Sequence, residues 1–323
     1  MSALLAVLER QSADDWQRAL DALIPSIHPI DQNATRIWFA FFPLKLHLAL
    51  EAARAEGPER EAAVVQTLRL MGRWRLADQV DTSHTFLFSH RYWPQVKSAI
   101  GAFDQPIADT TPLVDVAKAV ADAAARTARV DPDMLYGMSL VGLMTLRQAG
   151  AAAFDAAPGK IHLSEVVRAR SPHQVMKVRA RDDWQGPLGF LRGHMKRWTI
   201  TYDENDPAAS FTAINGQEIA TAAQADKKDY RSRDSRCIPG EGPIPVECRA
   251  ASCGTCWVGV LAGAEKLSPI VDRDERQRVK VFGYADTQEP QPIIRLACQA
   301  KAGGAVSIVI PPWNGFLSGP TSR

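Results

Sequence analysis

Apolar residues recur at helical spacing through about the first 150 positions of this 323-residue chain, and alternate at strand spacing only after residue 196. Trp16, Leu20 and Leu23 share one helix face, and Ser12 with Asp15 three residues later predicts the cap of that helix. A second helix is predicted from about Ala34 to Ala55, kinked at Pro43, whose ring nitrogen has no proton to donate. Gly57 and Pro58 break the pattern, and Glu59 to Arg75 restarts it. Pro112 opens a helix with Leu113, Val116, Val120 and Ala124 on one face. Pro132 opens another that reaches Gln148, turns Leu135, Met138, Leu143 and Leu146 inward, and ends at Gly150. Between 150 and 196 the pattern is mixed: Val175–Val178 is predicted as a short strand and Trp184–Gly193 as a joint between domains.

After residue 196 the period changes. Trp198–Asp203 alternates as a strand, and Phe211–Ile214 predicts its hairpin partner, followed by the turn dipeptide Asn215-Gly216. Ile219–Ala225 is a short helical stretch, and Trp257–Leu261 and Val306–Ile310 are further strands.

Four cysteines stand in this second region: Cys248, Cys253 and Cys256 as C-x4-C-x2-C, then Cys298 far downstream. This is a ligand spacing of a 2Fe–2S cluster, in which soft thiolates hold the iron. Ala250, Ala251, Ser252, Gly254 and Thr255 are small, so backbone N–H groups can turn toward the sulfides. Structural zinc is the competing reading, but zinc sites pair two C-x2–4-C knuckles, and only Cys253 and Cys256 make one. Cys237 stands eleven residues before Cys248, as a free thiol or as an alternative ligand or redox partner.

With these motifs, residues from near Lys196 to near Phe316 resemble the plant-type 2Fe–2S ferredoxin domain; RLACQ around Cys298 matches its fourth-ligand signature. The resemblance implies a β-grasp fold of four or five strands around one helix, with Cys248, Cys253, Cys256 and Cys298 as ligands of a 2Fe–2S cluster. The expected fold class is α+β: a mostly α-helical domain over 1–190, then a β-grasp ferredoxin-like domain over 191–323. Two features depart from the family. An insertion at about Lys227–Val246 reads as a surface loop beside the cluster. Residues 191–323 hold 17 Lys and Arg against 15 Asp and Glu, so the strongly acidic docking face of many such ferredoxins is not evident.

Composition narrows the function. A net charge of +2 gives no sign of nucleic acid or anionic lipid as partner. Five cysteines, four of them with ligand spacing, leave no disulfide framework, which suits a reducing compartment and a cytoplasmic location. The N-terminus lacks the basic stretch of a secretory signal. Ile37–Leu50 is too short and too polar to span a bilayer; it reads as a buried helix, with a peripheral membrane or partner-facing surface as the alternative. His84 and His90, with Asp81 upstream, read as packing and capping groups, although two histidines and a carboxylate can bind iron or zinc. His28 and His47 have no spacing partner, and Trp38, Phe39, Phe41 and Phe42 read as core rather than as a cofactor box. No G-x-G-x-x-G and no P-loop occurs, so no dinucleotide site is evident, and electrons come from another protein or from a cofactor with no motif in the sequence.

The resulting expectation is a one-electron carrier without acid, base or nucleophile. It relays electrons between a separate reductase and an acceptor, with the helical domain as docking module. The alternatives are an electron-feeding subunit of an oxidoreductase whose helical domain holds a further active site or cofactor, and a redox sensor.

Overall fold

The computed structural model describes residues 2–104, 106–108, 111–187, 193, 195–271, 275–277, 279, 283 and 289–317. In chain order the helices are α1 (Ser2–Arg10), α2 (Ala13–Leu23), α3 (Pro29–Phe41), α4 (Leu44–Glu56), α5 (Pro58–Thr67), α6 (Trp93–Gly101), α7 (Leu113–Ala128), α8 (Asp133–Ala156), α9 (Glu165–Ala169), α10 (Pro172–Val178) and α11 (Ile219–Ala223). The strands are β1 (Met71–Gly72), β2 (Arg197–Thr201), β3 (Ser210–Ile214), β4 (Trp257–Ala262), β5 (Ile294–Leu296), β6 (Val306–Val309) and β7 (Trp313–Asn314). The chain forms two compact units, Met1–Leu48 with Arg75–Pro172, and Ala49–Trp74 with His173–Arg323.

The first unit is helical and built around α8. Every residue from Leu135 to Arg147 except Tyr136 is buried, as expected of a helix apolar on all sides, and α1, α3, α6 and α7 pack against it. The Ser12–Asp15 capping box forms at the start of α2. The single helix predicted across Pro43 is two helices: Phe42 leaves the helical region at φ −127° and ψ 61°, because proline disfavours helical backbone in the residue before it. Gly150, at φ 77°, interrupts α8 where the sequence placed its end. The short strand expected at Val175–Val178 is instead the end of α10, which Pro172 opens at its first position. The buried carboxylate of Asp31 accepts from the backbone N–H groups of Phe88 and Ser89 at 2.7 and 2.8 Å, which fixes the single-turn helix Phe88–Tyr92.

The second unit is a five-stranded sheet in the order β3-β2-β6-β4-β5, antiparallel except for the parallel β2–β6 pair. α11 packs on β3 and buries Ile219, Ala220, Ala222 and Ala223. Residues 179–185 brace the sheet through side chains. Asp183 accepts from the Thr199 hydroxyl at 2.9 Å, Gln185 donates to the Arg197 carbonyl at 2.7 Å, and Asp182 accepts from Lys266 at 2.8 Å. Trp184 is described and exposed, whereas 188–192 of the expected joint lie outside the described residues.

Residues 68–73, which the sequence reading assigned to the helical half, lie along the C-terminal tail in this unit. β1 pairs with β7, Arg73 N–H donates to the Pro312 carbonyl at 2.8 Å, and Phe316 N–H donates to the Leu68 carbonyl at 2.8 Å. The insertion at 227–246 is not simply a surface loop: Tyr230, Cys237, Ile244 and Val246 are buried, because this stretch carries its own apolar anchors. Among the described residues no helix is long and apolar enough to cross a membrane.

Candidate functional site

The loop Cys248–Cys256 leads into β4, and Cys298 follows β5, the neighbour of β4 in the sheet. Pairing of Trp257 with Leu296 brings the two cysteine segments side by side, and Ala297 N–H donates to the Cys256 carbonyl at 2.9 Å. Within the loop, Arg249, Ala251 and Gly254 take left-handed backbone conformations with φ of 53°, 55° and 73°. These alternations turn successive N–H groups to one side and make an anion-binding concavity. Ala250 and Ser252 N–H both donate to Cys248 Sγ, at 3.4 and 3.3 Å, and the Ala251 N–H reaches Cys298.

The four sulfurs are brought together as two pairs. Cys248 and Cys253 perturb each other's ionisation, and so do Cys256 and Cys298. Each pair contains one thiol poised to ionise and one held neutral. Burial works to raise Cys248, but donors from Ser252, Ala250 and Cys253 bring it down to about 7, while burial raises Cys253. In the second pair the interaction between the two thiols lowers Cys298 and raises Cys256. Gln299 Nε2 also donates to Cys298 Sγ, at 3.4 Å.

This donor set fits a 2Fe–2S cluster, which needs two thiolates at each of two irons and N–H dipoles around the sulfur. Among the described residues no three His, Cys, Asp or Glu side chains group as one metal site. Cys248 and Cys253 are half-buried, with Ala250 and Ser252 exposed beside them, whereas Cys256 and Cys298 are buried.

Cys237 is outside both pairs. Its buried thiol donates to the Pro243 carbonyl at 3.4 Å, and burial raises it to about 11. Trp257 is buried and meets Trp313 edge to face, with ring centroids 5.8 Å apart. In the helical unit, His84 and His90 come together with Nδ1 atoms 2.9 Å apart, and His84 Nε2 meets the Val80 carbonyl at 3.1 Å. The Asp81 carboxylate accepts from the Trp93 indole at 2.7 Å and from Gly159 N–H at 2.8 Å, a capping and packing role. His28 caps α3, and Trp38, Phe41 and Phe42 lie in the core.

Two residues near the cysteines, Glu275 and Asn314, carried no sequence signal. Glu275 and Arg295 form a buried ion pair just before Cys298. Glu275 sits in the charged run DRDERQRVK, where nothing distinguishes it from its neighbours. Asn314 reaches the Thr255 carbonyl from the far end of the chain.

Residues 239–303 match the family model for a 2Fe-2S iron-sulfur cluster binding domain, and all four paired cysteines lie inside the match. No curated protein and no solved structure matches the chain. The second unit thus carries a 2Fe–2S cluster binding domain.

Proposed function

We propose that the chain is a one-electron carrier, in which Cys248 and Cys253 hold one iron of a 2Fe–2S cluster and Cys256 and Cys298 hold the other. The observation that carries this reading is the convergence of the two cysteine segments, joined by the Trp257–Leu296 pairing of β4 and β5, inside the matched segment. The bound cluster supplies the redox chemistry, accepting one electron and giving it up again. The protein supplies inward N–H groups that offset negative charge at the sulfurs, and a buried second pair that keeps water from that side. A separate reductase delivers the electron and an acceptor protein removes it. The exposed, small-residue side of the loop at Ala250 and Ser252 is the shortest route to a partner.

The sheet order, with a parallel central pair and α11 crossing one face, supports a β-grasp arrangement. The helical unit is the docking module for a particular partner, and the free buried thiol fits a reducing, cytoplasmic setting. The test is purification without air, followed by iron and sulfide analysis, visible absorption, and electron paramagnetic resonance after dithionite reduction. Equimolar iron and sulfide with a one-electron signal supports the carrier. Reconstituted protein that stays iron-free overturns it, and a further chromophore moves the reading to an enzyme subunit.

A further inference from the structure

Thr255 lies between the third cysteine of the loop and Gly254, and it is held at both ends. Its hydroxyl oxygen accepts from Glu247 N–H at 3.1 Å, which leaves the hydroxyl proton for Cys253 Sγ, also 3.1 Å away. Its carbonyl accepts from the side-chain amide of Asn314, a residue 1 % exposed at the C-terminal end of the fold. An amide can be turned either way round, and here the guanidinium of Arg236 fixes it. Arg236 Nη1 donates to Asn314 Oδ1 at 2.6 Å, so Nδ2 must face Thr255. Arg236 is itself fixed, with Nη2 donating to the Pro311 carbonyl at 2.7 Å and Nε to Asp234 at 2.9 Å. It comes from the insertion that separates α11 from the cysteine loop.

We infer that Asn314, oriented by Arg236, is a positioning residue for the cluster: it sets Thr255 so that its hydroxyl donates to the Cys253 sulfur. The inference rests on the 2Fe–2S reading above. The insertion and the tail then have one purpose in common. Together they build a clamp on the ligand loop at Thr255. A donor on a ligand sulfur stabilises the reduced, more negative state, so a loosened Thr255 lowers the reduction potential and frees the iron.

The experiment uses the full-length, cluster-loaded protein and two readouts, the rate of iron release to a chelator and a redox titration followed by electron paramagnetic resonance. Asn314→Asp keeps Arg236 paired but loses the amide donor. Asn314→Leu loses it without adding charge. Both are expected to release iron about tenfold faster than the parent protein and to titrate at a more negative potential. Arg236→Lys, which keeps one donor but loses the fork, falls between. Arg179→Gln weakens an ion pair with Glu204 elsewhere in the same unit and serves as the structural control. It is expected to keep the parent rate and potential. Unchanged release and potential in both Asn314 variants overturn the inference, as does an Arg179→Gln control that shifts equally. Parent protein that takes up no iron overturns the cluster reading itself and the clamp with it.

Discussion

Glu275 and Arg295 face each other with both side chains 0 % exposed, and the guanidinium donates from Nε and Nη2 to the two carboxylate oxygens at 2.9 Å each. The same carboxylate accepts from Leu296 N–H at 2.8 Å, and Arg295 Nη1 donates to the Ser268 carbonyl at 2.8 Å. The pair therefore pins β5 three residues before Cys298. Breaking it from one side leaves a bare charge in the interior. Glu275→Leu is expected to cost about 3–5 kcal/mol in urea unfolding. Adding Arg295→Met to that variant should recover part of the loss, because the stranded guanidinium is gone. Additive losses in the double variant would show that the two groups do not act as a pair.

The cysteines separate by position. Cys298→Ser replaces a soft donor in the buried pair, and the reduced protein should lose or badly distort its paramagnetic signal. Cys237→Ser should leave iron content and signal nearly unchanged, since that thiol only donates to the Pro243 carbonyl. Loss of the signal from the Cys237 variant alone would reverse the assignment.

Gly216 and Gly242 have nearly the same backbone, φ 82° and 83°, but different surroundings. A Cβ at Gly216 meets nothing within 4 Å, whereas one at Gly242 would lie 2.1 Å from the Ala223 carbonyl oxygen. Gly216→Ala therefore reports the left-handed penalty alone, about 1–2 kcal/mol. Gly242→Ala adds a clash with α11 backbone and should cost clearly more by urea unfolding. It should also loosen the cysteine loop, because Glu241 beside it pairs with Arg249. Equal losses at the two positions would mean that the insertion yields to the added methyl.

Much of the site was legible because its chemistry is local. C-x4-C-x2-C and RLACQ are short strings, and the strands around them alternate visibly, so β2, β3, β4, β6 and α11 fall where the pattern put them. Pro43 marked a disruption, yet periodicity could not tell a kink from the full break at Phe42. Val175–Val178 misled because a few β-branched residues in a short window carry no period. The support behind the loop was invisible for a different reason. Asn314, Arg236 and residues 68–73 meet only through long-range pairing, and neither a lone asparagine nor two residues of strand leave a signature in sequence.

The proposed division at residues 190 and 191 concerns autonomous folding. A fragment starting at Gly193 keeps all four paired cysteines and should take up iron. It lacks Arg179, Asp182 and Asp183, which bond to Glu204, Lys266 and Thr199 in the same unit. A fragment starting at His173 keeps them and should unfold at higher urea, each hydrogen bond contributing about 1 kcal/mol. A colourless, insoluble Gly193 fragment beside a coloured, soluble His173 fragment would move the boundary to residue 173.

The His84–His90 pair gives the helical unit a pH dependence of definite sign. Burial holds both imidazoles neutral, His84 well below its ordinary value and His90 at about 4. Above about pH 6.5 both are neutral in the folded and unfolded chain and contribute no slope. As pH falls through 6.5, the unfolded chain binds protons that the folded one refuses, so stability drops until His90 titrates in the fold as well. His90 alone accounts for about 3 kcal/mol over that window. Urea midpoints followed by far-ultraviolet circular dichroism between about pH 7 and pH 4.5 should therefore fall in the parent protein. The fall should be shallower in a His84→Gln, His90→Gln double variant, which lacks both buried imidazoles. Equal slopes in the two proteins would show that the imidazoles take up protons without unfolding, and that the pair is open to water.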